Sequence, residues 1–398
     1  MMTMPLVIDQ TYLQQTAREL VRIDSTNPSL GQGGKGEAPI AAYIARQLAA
    51  MGLDVSQHEP APGRVSVLAR LPGRGSGRSL MWNAHVDTVG VENMVEPFGG
   101  RIADGRLYGR GAYDMKGSVA SQLAAARALV AAGINLASDL LIACVADEEY
   151  ASIGTADLLH HYRPDGAIVT EPTALRLCRA HKGFVWLRVT TAGRAAHGSR
   201  PELGVDANMQ MGRVLAGLEQ LGRRLQSQPG HPLVGPPSLH AATLEGGTEW
   251  SAYAAHCTLG IERRTIPGET AAQVVGEVQD ILDRLAAAGT AFQATLETVL
   301  VREPFEVSAR APIVQAVEAS ATEVLGAPPR HIGDSPWMDA ALLAAAGVEA
   351  VVIGPAGGGA HAAEEWVELD SLASLAAILA RTAIAYCGLA DSAGEDTG

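Results

Sequence analysis

Cysteine is scarce in this chain, and the few present form no framework. Cys144, Cys178, Cys257 and Cys387 lie far apart, with no C-x-x-C pair and none of the density of a disulfide-stapled secreted domain, so they are expected as reduced, buried thiols. Positive charge is also short. The formal net charge is −13, and no basic stripe interleaved with aromatic residues offsets it, which argues against a nucleic-acid partner. The opening MMTMPLVIDQ has no basic region leading into an apolar one, and no later run approaches the ~18 uncharged apolar residues of a membrane span, so a cytoplasmic protein without a membrane partner is expected. Common catalytic signatures are missing as well: there is no G-x-S-x-G, no H-E-x-x-H and no G-x-x-x-x-G-K-[ST]. Serine hydrolase, single-zinc protease and P-loop readings lose their main support. Gly31, Gly33 and Gly36 have dinucleotide-fingerprint spacing, but they follow DSTNPSL rather than a strand and read as a loop.

What is there is an ordinary globular composition in a long chain. At 398 residues, with 47% hydrophobic and 18% charged residues, the length suits two or three domains and a large core, with only the tail from about Asp391 reading as loose. Asp9 is a helix cap ahead of Leu13, Ala17, Leu20 and Val21, and a second helix runs through Ile40, Ile44 and Leu48 to Gly52. Short apolar runs then alternate with helices: VSVLARL, SLMWNAHVDTV, the helix in SQLAAARALVAAG, LLIACVA and GAIVTEP. That alternation predicts an α/β layer around a mostly parallel sheet. Near Lys182 the pattern changes to FVWLRVTTAG, a helix over 207–221, CTLGIERRTI, a helix over 269–287 and FQATLETVLV, and from Pro304 the α/β pattern returns. The expected organisation is a discontinuous first domain, 1–181 and 304–398, with a smaller α+β domain inserted over 182–303.

The chemistry-bearing residues fall at the ends of the predicted strands, where open α/β sheets bind ligands. His85 and Asp87 alternate in NAHVD, so one can bind a metal while the other holds its imidazole. Asp114 sits in the glycine-punctuated YGRGAYDMKGS, either facing a ligand or capping the next helix. Asp147, Glu148 and Glu149 directly follow LLIACVA, and acids crowded at the end of a buried strand repel one another unless a cation or proton intervenes. Glu171 follows GAIV, and His361 follows AVVI. Two histidines and three carboxylates suit two divalent ions, zinc first, with cobalt or manganese as alternatives, and one glutamate is left over as a base.

With WNAHVDTV, YGRGAYDMKG, ADEE, TEPT, AHGSRPELGVDAN, GGT, ERRTIPGE, DAALLAAAG and GPAGGGAH in one order, the chain resembles the acetylornithine deacetylase and succinyl-diaminopimelate desuccinylase family of dinuclear zinc exopeptidases, with its aminoacylase and carboxypeptidase G relatives. The resemblance implies a three-layer catalytic domain carrying an inserted lid that forms a homodimer. It further implies Asp114 bridging two metals, His85 and Glu171 completing one site, Glu149 and His361 completing the other, Glu148 as general base and Asp87 behind the ligands. His197 in AAHGS matches the lid histidine that stabilises the oxyanion in the neighbouring subunit. Arg264, ahead of Arg263, matches the arginine for the substrate carboxylate, and Gly357 and Gly358 fall in the substrate-binding loop. A cis peptide after Asp114 also follows. Ser251 and Ala254 depart from the asparagine and proline usual in the lid. The activity implied is hydrolysis of small N-acyl amino acids by a metal-bridged hydroxide; a carboxypeptidase or dipeptidase on the same scaffold is the first alternative, and a non-catalytic metal-binding protein the remote one.

Overall fold

The structure, a computed structural model, describes residues 6–30, 33–288 and 292–390, so the tail from Asp391 and Gly31 of the glycine-rich loop lie outside the described residues. The chain divides into two compact units. The first comprises Met1–Arg179, Val307–Ile332 and Met338–Gly398, and the second Ala180–Glu306 and Gly333–Trp337.

In the first unit, strand Leu80–His85 is buried along its whole length, as is Leu140–Val145, which runs parallel to it with His85 opposite Val145. Gly166–Val169 lies parallel on its other side, and Glu349–Val352 lies parallel to that. These four form a parallel core flanked by antiparallel strands, with Arg64–Leu71 and then Asp54–Ala61 on one side and Leu177–His181 on the other. Strands buried on both faces must be continuously apolar, which is why LMWNAH and LLIACV carry no alternation.

Helix Gly117–Ala131 is apolar nearly all round because it is enclosed, packing on Gln10–Arg22 and Leu369–Cys387. Leu369–Cys387 is itself long and apolar enough to cross a membrane by length and composition, with a mean hydropathy of 1.3, but most of it is buried in this core. Asp9 caps the first helix by accepting from the Tyr12 amide at 3.0 Å. All four cysteines are buried.

The second unit is a four-stranded antiparallel sheet in the order Ser238–Gly246, His256–Thr265, Gly183–Ala192, Ala294–Arg302. The alternating residues Val185, Leu187 and Val189, with Leu259 and Ile261, meet Met211, Val214, Leu218, Val278 and Ile281 from helices Ala207–Ser227 and Ala271–Ala287. The period-two pattern leaves the other face of the sheet open, where Trp186 and Val299 remain 42% and 44% exposed.

Candidate metal centre

Four parallel strands end on one side of the first unit's sheet, and the loops beyond them deliver the acids and histidines. His85 is the last residue of its strand. Its Nδ1–H donates to the backbone carbonyl of Asp87 at 3.0 Å, while the Asp87 carboxylate is 3.6 Å away. Asp87 therefore orients the ring through its backbone. Its carboxylate, fully buried, instead accepts from the Glu148 and Glu149 amides at 3.1 and 3.2 Å and from Asn27 at 2.8 Å.

With Nδ1 committed, Nε2 of His85 turns its lone pair towards Asp114 Oδ1 at 3.0 Å and Glu171 Oε1 at 3.6 Å. A lone pair facing two carboxylates is repulsive unless a proton or cation lies between them. On the opposite side of Asp114, Oδ2 is 3.4 Å from His361 Nε2, which is 3.1 Å from Glu149 Oε1. Each oxygen of one aspartate thus faces a different histidine. His85, Asp114 and Glu149 form one group of donors lying within 4.8 Å of one another, and His85, Glu148 and Glu171 form another.

The electrostatics show the same tension. Burial, reinforced by neighbouring Glu171, pushes Glu148 well above the usual carboxylate range; burial does the same to Glu171, and burial and Asp114 raise Glu149. Burial disfavours a charged His85, but Glu171, Asp114 and Asp87 override it and raise the ring well above its usual value. Hydrogen bonds to Asp114 and Glu149 push His361 up to about 10. Asp114 goes the other way: burial would raise it, but the two histidines pull it down. These shifts all favour a positive charge, proton or cation, between the carboxylates and the histidines, and the N/O donor set is the one divalent zinc-class ions accept.

Asp114 does not cap the following helix, whose first-turn cap position is Lys116. Its loop departs from helical geometry at Asp114 (φ −119°, ψ 92°) and Met115, and the Asp114–Met115 peptide is cis, as the family resemblance implies. Gly109 and Gly111 admit this turn with φ of +142° and +79°; a Cβ on Gly109 would sit 2.5 Å from Val21 Cγ1. Gly357 and Gly358 pair across to Val367 and Trp366, and a Cβ on Gly357 would strike Trp366 O at 2.4 Å. Close backbone packing accounts for the first of these glycines.

Three groups missing from the sequence reading hold the site in place. Glu365, buried, accepts from the amides of Tyr113 and Asp114 on one oxygen (2.9 and 3.0 Å) and from Gly111 N and Arg110 Nη1 on the other (3.0 and 2.7 Å). Arg64 pairs with Glu37 at 2.8 Å and with Asp147, so Asp147 is neutralised by an arginine rather than by the metal centre. Asp339 accepts from Thr155 at 2.5 Å; burial pushes it up to about 6, and its charge adds to the load on Glu148. A glutamate in AAEEW and an arginine in a strand carry no local signal; only the fold brings them here. Glu365→Gln must set an NH2 against two N–H donors whichever way the amide turns. It is expected to weaken metal binding by about 10–100-fold, measured by zinc titration of metal-free protein. Unchanged affinity would remove Glu365 from the metal centre's support.

His197 and Arg264 belong to the second unit. Ser199 N–H donates to His197 Nδ1 at 3.2 Å, which leaves the neutral ring's proton on Nε2, so this exposed ring presents a donor. Arg263 is fully buried and bound to Glu269 and Glu277, a structural assignment. Arg264 stacks over Phe184 at 5.1 Å and is bound through Nε to Glu262 at 2.7 Å, with its side chain 31% exposed. Ala254 is buried in the unit's core, and Ser251 is exposed.

Residues 81–385 match Peptidase family M20/M25/M40. The chain is 29% identical over 387 residues to acetylornithine deacetylase of Myxococcus xanthus, covering 94% of this chain and 98% of the relative. It is 28% identical to the N-formyl-4-amino-5-aminomethyl-2-methylpyrimidine deformylase of Bacillus subtilis (strain 168), with 94% of each covered. Among solved structures, aminopeptidase PepT from Bacillus cereus superposes with a TM-score of 0.78 at 20% identity, covering 94% of this chain and 98% of that one.

Proposed function

The chain belongs to peptidase family M20/M25/M40 and is a metal-dependent amidohydrolase, and from that premise we propose that it removes the acyl group of small N-acyl amino acids. The observation that carries this reading is Asp114, whose two oxygens face His85 and His361 across a buried cluster of glutamates. His85, Asp114 and Glu171 would hold one divalent cation and Asp114, Glu149 and His361 the second, with zinc preferred over cobalt or manganese. Such cations lower the pKa of water towards ~7 and polarise a carbonyl.

The protein's own groups do the rest. Glu148, whose affinity for a proton is raised by burial, takes one from the attacking water and passes it to the departing amine. Asp87 keeps both Glu148 and Glu149 in place through their amides. His197, with its donor on Nε2, is proposed to stabilise the oxyanion in a partner subunit of a homodimer formed through the second unit. Arg264 offers its outer guanidinium nitrogens to the substrate carboxylate. A deacylating relative over nearly the full length supports this reading over a dipeptidase.

The test is a panel of N-acetyl, N-succinyl and N-formyl amino acids against dipeptides, with zinc, cobalt or manganese supplied. Turnover of dipeptides alone would replace deacylation by the peptidase reading. Run on the free acids and their amides, Arg264→Lys is expected to lower kcat/KM far more for the acids, because a lysine cannot make the bidentate pair. Equal losses on both would move carboxylate recognition elsewhere.

A further inference from the structure

A second group of metal-type donors lies in the first unit, away from the ligands named above. His58 projects from strand Asp54–Ala61, and Asp157 and His161 come from helix Ile153–His161. At a spacing of four, the last two share one helix face. His58 Nδ1 is 3.6 Å from Asp157 Oδ2, His161 Nε2 is 3.9 Å from Asp157 Oδ1, and one donor atom from each residue fits within 4.8 Å of the others. Adjacent donors around a tetrahedral zinc at its usual ~2.0–2.1 Å bonds stand about 3.3 Å apart, so small side-chain movements close this set on an ion.

The far nitrogen of the His58 ring has a partner of its own. Ser56 Oγ lies 3.2 Å from His58 Nε2, so the tautomer with its proton on Nε2 has an acceptor there. In that tautomer Nδ1 keeps its lone pair, 3.6 Å from Asp157 Oδ2, free for a cation placed between them. Metal-binding histidines are commonly fixed in this way by a hydrogen bond on the far nitrogen. The surroundings also keep His58 neutral: burial lowers its pKa, and nearby His161 lowers it further against the pull of Asp157. Access is open, since the side chain of His161 is 55% exposed and Asp157 26%. His161 also borders a surface cavity of about 480 Å³ lined by Asp54, Ser56, Arg70 and Asp139.

We propose that His58, Asp157 and His161 form an additional surface site for one borderline divalent cation of the zinc, nickel or copper class, completed by water. Two imidazoles and one carboxylate suit such ions and disfavour magnesium, which prefers an all-oxygen shell. The rings also lie together without an ion, with His58 and His161 centroids at 5.4 Å and Tyr162 edge-on to both. Simple packing of this kind, with a surface ion pair, is the competing explanation.

Bound metal separates the two. Metal-free full-length protein is dialysed against zinc at increasing concentration and the ions per chain are counted. The same is done for His58→Ala/His161→Ala, for the exposed single variant His161→Gln, and for wild type with magnesium. The wild type is expected to bind one more zinc per chain than either variant, with deacylase activity at low zinc unchanged in His161→Gln. The difference between proteins is the readout, so it stands whatever the number of ions in the catalytic centre. Equal zinc content in wild type and variants, or a third ion that magnesium supplies equally well, would overturn the assignment.

Discussion

Glu148→Ala is expected to keep the metal content of the wild type while losing about 10²–10⁴-fold in kcat, the usual range for a missing general base. The side chain is half-buried beside Glu171 and His85, beyond the end of strand Leu140–Val145, where the preceding Asp147 is already paired with Arg64. Its carboxylate is therefore the spare acid of the cluster rather than the neutralised one. The same position makes the alternative sharp. Glu148, Glu171 and His85 could themselves hold an ion, so a variant that loses one metal per chain would exchange the roles of Glu148 and Glu149. The variant also tests the subunit-crossing role of His197. Mixing it with inactive His197→Ala under subunit exchange is expected to restore up to about half of wild-type activity per heterodimer, since one site then has both groups intact. No recovery in demonstrated heterodimers would confine His197 to its own chain or remove it from the reaction.

Chelation is expected to abolish turnover completely, and zinc or cobalt to restore it, because the cluster contains no other means of activating water. Full turnover by verified metal-free protein would sink the mechanism. The protonation pattern adds a directional result. Without metal, Glu148, Glu149 and Glu171 hold protons above the usual carboxylate range, chiefly through burial, and His361 holds its proton up to about 10 through its bonds to Asp114 and Glu149. Ligands must shed these protons to bind a cation, so zinc affinity should rise with pH and binding should release protons. Calorimetry of zinc binding in two buffers of different ionisation heat measures that release. Zero net release would mean that the cluster is already deprotonated before metal arrives.

The parallel core was legible because its strands are buried on both faces and so are written as unbroken apolar runs, and the ligands could be found because each follows such a run. The edge strands Asp54–Ala61 and Ser238–Gly246 went unread: largely solvated on both faces, they have no apolar alternation to show. Tertiary structure alone decided which groups stand behind the ligands. Glu365 lies 251 residues from Asp114 yet holds its amide, and Arg64 lies 83 residues from the Asp147 it neutralises. Such partners are chosen by the need to satisfy buried donors and charges, a condition set by proximity in three dimensions. Residue type and strand-end position were therefore enough to nominate His85, Asp114, Glu148, Glu149, Glu171 and His361. That Asp87 holds His85 through its carbonyl, that Asp147 belongs to Arg64, and that Arg263 is buried while Arg264 is partly exposed depended on backbone direction and side-chain packing, which local sequence does not encode.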